Sequence, residues 1–288
     1  MKEYKANKPW RFYSFRQDIY TELSDLHQHV RSFRGVVFLI PLLHVFSIHP
    51  LQTHLQPHLY PAEKMQRKGD RISKRTVGKY MREIGIRTCY RKQSTHTTRN
   101  PDFSSGLKNI LNRDFQPERP DAAWCTDITY IWTTGGFVYL ASIMDLYSRK
   151  IISWTLGETL ETKWVLEAVE KAKEQRHVTQ PLVIHSDRGV QYTCGDYAEA
   201  TGGMERSYSA KSCPWDNACI ESFHALIKRE WLSRFRITDY SHAYRLVFEY
   251  IEAFYNTVRI HSHCGYRSPS EHEKQYLDGM EVKIRETG

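Results

Sequence analysis

Cysteine is scarce in this chain, with six in 288 residues and no Cys-x-x-Cys pair. That spacing excludes a zinc ribbon or finger, and the low count excludes a disulfide scaffold. Long apolar runs are absent too. A bilayer span needs about 20 apolar residues, and the most apolar stretch, Val36 to Phe46, is shorter and broken by Pro41. There is no signal peptide, heptad run or internal repeat. These absences imply a soluble, cytoplasmic protein with no membrane partner.

What is present is positive charge. The net charge is +8 and the isoelectric point about 9.1. Residues 60–120 concentrate it, with 15 Lys/Arg against 6 Asp/Glu. Aromatic and hydroxyl residues interleave with these charges, which favours nucleic-acid contact over a solvated linker. The length suits one large domain or two modest ones.

The texture of the chain changes along its length. Residues 1–62 are rich in His, Leu, Phe and Pro and hold no steady period beyond a short helix over Glu3–Tyr20. Residues 63–120 read as a basic, helix-turn-helix-like region and linker. There Ser73 caps a helix over Lys74–Ile84 with Val77, Met81 and Ile84 in one stripe, and Gly85 stops it. Lys74, Arg75 and Lys79 on that helix are candidate DNA contacts. Residues 88–120 form a Pro-punctuated connector.

From Ala122 the pattern is β-like. Strands are expected over Trp124–Trp132, Phe137–Asp145 and Lys150–Leu156, the first two joined by a hairpin turn at Thr133–Gly136. Thr162 caps a helix to Gln175, and Pro181–His185 is a buried strand. A brief helix at Asp196–Ala200 and a strand near Arg206–Ser209 follow. Asp216 caps a helix from Asn217 to Leu232, and Asp239 or Ser241 caps another from His242 to Thr257. This order supports an α/β fold with a mixed sheet. The core is expected over 121–235, with a helical extension over 236–288.

Three acids stand out: Asp127 in Trp124-Cys-Thr-Asp-Ile-Thr-Tyr130, Asp187 in His185-Ser-Asp-Arg-Gly189, and Glu221 in Asp216-Asn-Ala-Cys-Ile-Glu-Ser-Phe223. Singly, each is ordinary: a strand acid, a turn former, and an acidic first helical turn. Adjacent first and fourth strands would bring Asp127 and Asp187 together at their carboxyl ends. Glu221, one turn into a helix, would face back toward them. Carboxylates so gathered suit divalent cations and phosphoryl transfer.

With Asp145-Leu-Tyr-Ser-Arg149 and Tyr255-Asn-Thr-Val-Arg-Ile-His261, these words closely resemble the insertion-sequence transposases of the IS-three family. That group shares the retroviral integrase core, a ribonuclease H-like five-stranded mixed sheet flanked by helices. The resemblance covers about 65–277 and implies that Asp127, Asp187 and Glu221 are a catalytic triad binding Mg²⁺ or Mn²⁺. It further implies 3′-end cleavage and strand transfer on DNA, a homo-oligomer on DNA, and a partner from an upstream reading frame. Lys228, seven residues after Glu221, is either a DNA-end contact by resemblance or a solvated lysine. Arg149 and Arg188 are candidate phosphate contacts, and Arg188 is placed to pair with Asp187. Arg259 and His261 either touch DNA or close the C-terminal lobe onto the core. His185 either orients the site or packs at its edge.

Two departures from the family pattern stand beside the resemblance. Only 33 residues separate Asp187 from Glu221, slightly fewer than usual. The family's Tyr-Gly-x-Arg-Arg-Ile helix is also missing before Ile72, and residues 1–62 read like another reading frame. A frameshift is the hypothesis. Translating the other two frames upstream tests it, and absence of the missing helix from both would sink it. The alternative function is a defective DNA-binding remnant that associates with transposase chains.

Overall fold

The computed structural model describes residues 59–67, 69, 71–83, 107–211 and 213–287. The expected helix at Glu3–Tyr20, the Gly85 stop and connector residues 88–106 lie outside the described residues. Internal contacts divide the chain into Met1–Arg87 and Thr88–Gly288, and each unit is taken by itself.

In the first unit, helix α1 (Leu59–Arg67) precedes helix α2 (Lys74–Glu83). Ala62 and Met65 from α1 meet Ile72 and Val77 in a small buried cluster with Tyr80 against it. Ser73 caps α2 as expected, its Oγ accepting from Thr76 N at 3.1 Å. The Gln66 amide closes the intervening turn on Ile72 O at 2.6 Å. A helix therefore does precede Ile72, but its sequence, Leu59-Tyr-Pro-Ala-Glu-Lys-Met-Gln-Arg67, is not the family's Tyr-Gly-x-Arg-Arg-Ile word.

The second unit is built on five strands: β1 (Ala123–Thr133), β2 (Gly136–Asp145), β3 (Ile151–Gly157), β4 (Val183–Ser186) and β5 (Glu205–Tyr208). Their order is β3-β2-β1-β4-β5. Strands β1, β2 and β3 are antiparallel neighbours, while β4 lies parallel to β1 and β5 parallel to β4. The β1–β2 turn is a tight hairpin in which Thr133 Oγ1 donates to Gly136 O at 2.8 Å.

One sheet face is covered by α3 (Thr162–Arg176), α4 (Val190–Thr193) and α5 (Gly195–Ala200). Trp124, Ala141, Ile143, Ile152, Val165, Val169, Ile184 and Tyr197 form its core. The alternation of strand side chains puts Trp124, Thr126 and Ile128 on that face and Cys125, Asp127 and Thr129 on the other. Helix α6 (Ala218–Glu230) packs along β1 and β2.

Helix α7 (Tyr240–Phe248) continues as a π-helical segment, Glu249–Tyr255, and helix α8 (Pro269–Thr287) ends the chain. The sequence implied one α-helix over 242–257. The last part is instead wound as π turns, with Tyr250, Ile251, Phe254 and Tyr255 buried.

Capping expectations meet mixed outcomes. Asp239 caps α7 by accepting from His242 N at 2.8 Å. Thr162 is the first residue of α3 rather than its cap, which is Glu161. Asp216 does not cap α6; it lies in a 3₁₀ turn, Pro214–Asn217, and is buried. Its carboxylate accepts from Asn109 Nδ2 (2.9 Å), Arg113 Nε (2.6 Å) and Ala210 N (2.8 Å). Residues 107–120 are accordingly a strap fitted to the core, not a connector throughout. Tyr208 N donates to Lys108 O, and Ser207 Oγ accepts from Ile110 N and Leu111 N.

Candidate active site

The parallel ladder between β1 and β4 ends with Cys125 opposite His185. Asp127 and Asp187 each lie two residues further on, and a period of two keeps each on the face of its paired residue. Neighbouring strands run about 4.8 Å apart. The two acids are therefore brought side by side where the ladder opens.

The third acid arrives on α6. Asn217 Nδ2 donates to Thr126 O at 3.1 Å and pins the start of the helix to β1. Ile220, Phe223 and Ile227 bury one stripe of α6. Glu221, His224 and Lys228 form the adjacent stripe, three and four residues apart. His224 Nδ1 lies 3.4 Å from Asp127 Oδ2, and His224 Nε2 lies 2.8 Å from Ser142 Oγ. Lys228 Nζ sits 4.3 Å above the Tyr130 ring.

Electrostatics link the three acids. Burial, then Asp127, pushes the Asp187 carboxyl up to about 6, against the pull of the Gly189 N–H. Asp187 is nevertheless exposed at the surface, so solvent screens part of that repulsion. Glu221 is raised by burial, then by Asp127 and Asp187. Lys228 is lowered by burial, with Asp127 pulling the other way. Like charges that raise one another in this way call for a cation.

Among the described residues, no three His, Cys, Asp or Glu side chains are drawn around one point. Asp127 instead leans on His224, and Asp187 Oδ1 accepts from Gly189 N at 2.9 Å. The donor set still fits Mg²⁺ or Mn²⁺, since both prefer hard carboxylate oxygens. A Cβ at Gly189 would stand 3.0 Å from Asp187 Oδ1, so a side chain there would press on that carboxylate.

The other sequence candidates divide. Arg149 donates to Phe115 O (2.8 Å) and Cys219 Sγ (3.1 Å), and the Arg188 guanidinium donates to Ser209 O (2.8 Å) and Leu107 O (3.2 Å). Both arginines thus brace loops around the site. Lys74 pairs with Glu63 at 3.1 Å, Lys79 with Glu83 at 3.8 Å, and Arg75 is exposed. His185 is buried between Ser207 Oγ (2.8 Å) and Ser209 Oγ (3.1 Å) and is lowered to about 4 by burial, so it packs at the site's edge.

Arg259 is an interior strut, not a surface contact. It is 3% exposed and grips Glu230 through two bonds of 2.9 Å. Burial would lower its proton affinity, but the Glu230 carboxylate holds it above its ordinary range. His261, beside Arg259, is lowered to about 2, first by burial and then by that guanidinium. Asn256 clasps β3 through both Ile151 N (3.0 Å) and Ile151 O (2.9 Å). The Tyr-Asn-Thr-Val-Arg-Ile-His word is thus a latch between the C-terminal helices and the core. Asp145-Leu-Tyr-Ser-Arg is a turn, in which Asp145 accepts from Ser148 N (2.8 Å) and Ser148 Oγ (2.6 Å).

Sequence reasoning missed His224. Its signal was the spacing of three from Glu221, which puts both on one helical face.

The Integrase core domain matches in two forms, over residues 117–210 and 202–269. These matches, on a chain whose sheet runs β3-β2-β1-β4-β5, define an integrase-core protein. The transposase for insertion sequence element IS904 of Lactococcus lactis is 35% identical over 203 residues, covering 69% of this chain and 79% of that one. Transposase InsF for insertion sequence IS3A of Escherichia coli is 31% identical over 217 residues, covering 75% of each. The chain belongs to the insertion-sequence transposases of the IS-three family. The HTLV-2 integrase catalytic core in complex with magnesium is 13% identical, at a TM-score of 0.43 over 55% of this chain and 99% of that one.

Proposed function

We propose that this chain is a DNA transposase whose Asp127, Asp187 and Glu221 hold Mg²⁺ or Mn²⁺ and drive 3′-end cleavage and strand transfer of an insertion sequence. What supports the reading is that β1 and the end of β4 set Asp127 and Asp187 on neighbouring strands while α6, packed along β1, carries Glu221, with burial and then the acidic neighbours raising Asp187 and Glu221. When bound, divalent cations supply activation of the attacking oxygen and neutralisation of the leaving one.

The chain's own residues do the rest. His224 steadies Asp127, and the Gly189 N–H steadies Asp187. Lys228, at the far end of the α6 stripe, meets the phosphates of the element end. In cleavage, a water oxygen bonds to phosphorus and the bond to the 3′ oxygen breaks, leaving a 3′-OH and a 5′-phosphate. In strand transfer, that 3′ oxygen bonds to a target phosphorus and displaces the target's own 3′ oxygen.

Helix α2 carries Lys74, Arg75 and Lys79 as contacts to duplex DNA. A homo-oligomer holds the two element ends, with a protein from the upstream frame as a further partner. Cleavage of a duplex bearing the native element end tests the function. Nicking by the wild type with Mg²⁺, and none by Asp127→Asn, is expected. Equal nicking by both would remove Asp127 from the chemistry. Duplex binding by a wild type that never nicks would favour the defective remnant.

A further inference from the structure

Strand β1 pairs with β4 only through Ala123–Cys125, so beyond Asp127 it runs on as a hairpin with β2 alone. That hairpin displays three rings: Tyr130, Trp132 and Phe137 are 58%, 63% and 46% exposed. Trp132 pairs with Phe137 across the ladder. Phe137 presents an edge-to-face contact to both others, with centroids 5.2 Å from Tyr130 and 4.9 Å from Trp132.

The rings contribute little to the core, yet they are held firmly. Thr134 at the hairpin tip donates its N–H to Ile237 O (2.9 Å) and its hydroxyl to Thr238 O (2.8 Å). A cation borders the cluster: Lys228 lies over Tyr130. The segment that follows it, which reaches the hairpin tip at Ile237, also carries Arg229 and Arg236 in sequence. The acid of that segment, Glu230, is buried and committed to Arg259.

We propose that Tyr130, Trp132 and Phe137 form a stacking platform for unpaired bases of the DNA strand that leaves the carboxylate site, with Lys228 meeting its phosphates. The proposal rests on the transposase reading and adds a single-stranded subsite to it. Exposed rings beside a cation match the two halves of a nucleotide, and stacking on aromatic side chains is sequence-tolerant. Tyr130 lies three residues beyond Asp127, roughly 10 Å along an extended strand and on its other face, but β4 leaves that strand edge open, and Lys228, which lies over the Tyr130 ring and feels the Asp127 charge, links the two around it. Bases within a duplex offer no free faces, so the ligand is an unpaired segment.

The test compares a 12-nucleotide oligothymidylate with the same oligomer carrying abasic sites, by fluorescence anisotropy on the full chain at fixed salt. Each stacked base is worth about 5- to 150-fold in affinity. The wild type is expected to prefer the intact oligomer at least fivefold. Trp132→Ala with Phe137→Ala is expected to erase that preference while duplex affinity holds within about twofold, in line with the sequence tolerance of stacking. Trp132→Leu with Phe137→Leu, which keeps the surface apolar, is expected to behave alike.

No preference in the wild type, or one kept by both double variants, would overturn the platform. A preference kept while sedimentation shows dimers becoming monomers would also overturn it and assign the face to a second copy of the chain. Element-end cleavage on the same samples separates the two claims. Cleavage without base preference sinks the platform alone, and base preference without cleavage sinks the transposase reading.

Discussion

Replacing Arg259 with leucine should cripple folding of the second unit without touching the carboxylates. Arg259 and Glu230 are each 3% exposed, and their two bonds of 2.9 Å are joined by Tyr250, whose hydroxyl donates to Glu230 Oε2 at 2.6 Å. Removing the guanidinium strands a carboxylate in the core. Breaking one side of a buried pair costs about 3–5 kcal/mol. For a unit of this size each kcal/mol lowers the melting temperature by about 2–4 °C, so a fall of roughly 6–20 °C follows. Glu230→Met combined with Arg259→Leu should recover most of it, because an apolar replacement of a buried pair is near neutral. Calorimetry on the two variants decides. A single variant that melts within about 2 °C of wild type, on the same scale, would refute the strut. So would a normal melt coupled to lost DNA affinity, which would return Arg259 to the DNA surface.

Gly157→Ala should destabilise by about 1–3 kcal/mol in urea, since its Cβ would stand 2.2 Å from Trp164 Nε1 and the core there has no slack. His224→Phe should weaken Mn²⁺ binding about 10- to 100-fold by calorimetry, as loss of a partner to a metal-binding carboxylate does. Unchanged affinity would make His224 mere packing. Asp187 supplies a pH dependence. Its folded carboxyl is raised to about 6, so its stabilising effect is full below its unfolded value and is lost as pH rises through about 6. Mg²⁺ should therefore raise the melting temperature at pH near 7.5 and leave it unchanged near pH 5, and an equal shift at both would contradict the assignment.

The strands that carry Asp127 and lead to Asp187 were legible because they depend on local pattern. Alternation in Trp124–Trp132 and the short apolar run before Asp187 give two strands. The two-residue offset from Cys125 and His185 then brings the acids together once the strands are known to be adjacent. What escaped depends on distant partners. Asp216 looks like a helix cap beside its own helix, but Asn109 and Arg113, about a hundred positions earlier, claim it. Arg259 leaves DNA contact and lobe closure both open until Glu230 is found opposite it in the interior. Helix α1 carries too narrow an apolar face to declare itself without Ile72 and Val77. The π-helical segment is invisible because its buried residues, Tyr250, Ile251, Phe254 and Tyr255, would share one face of an α-helix as well.

Strand transfer tests the central claim most directly. The full chain is mixed with a pre-cut native element end, Mg²⁺ or Mn²⁺ and a plasmid target, beside Asp187→Asn. Joined product from the wild type and none from the variant is the expected result. Joining by both would place the chemistry elsewhere than the three carboxylates.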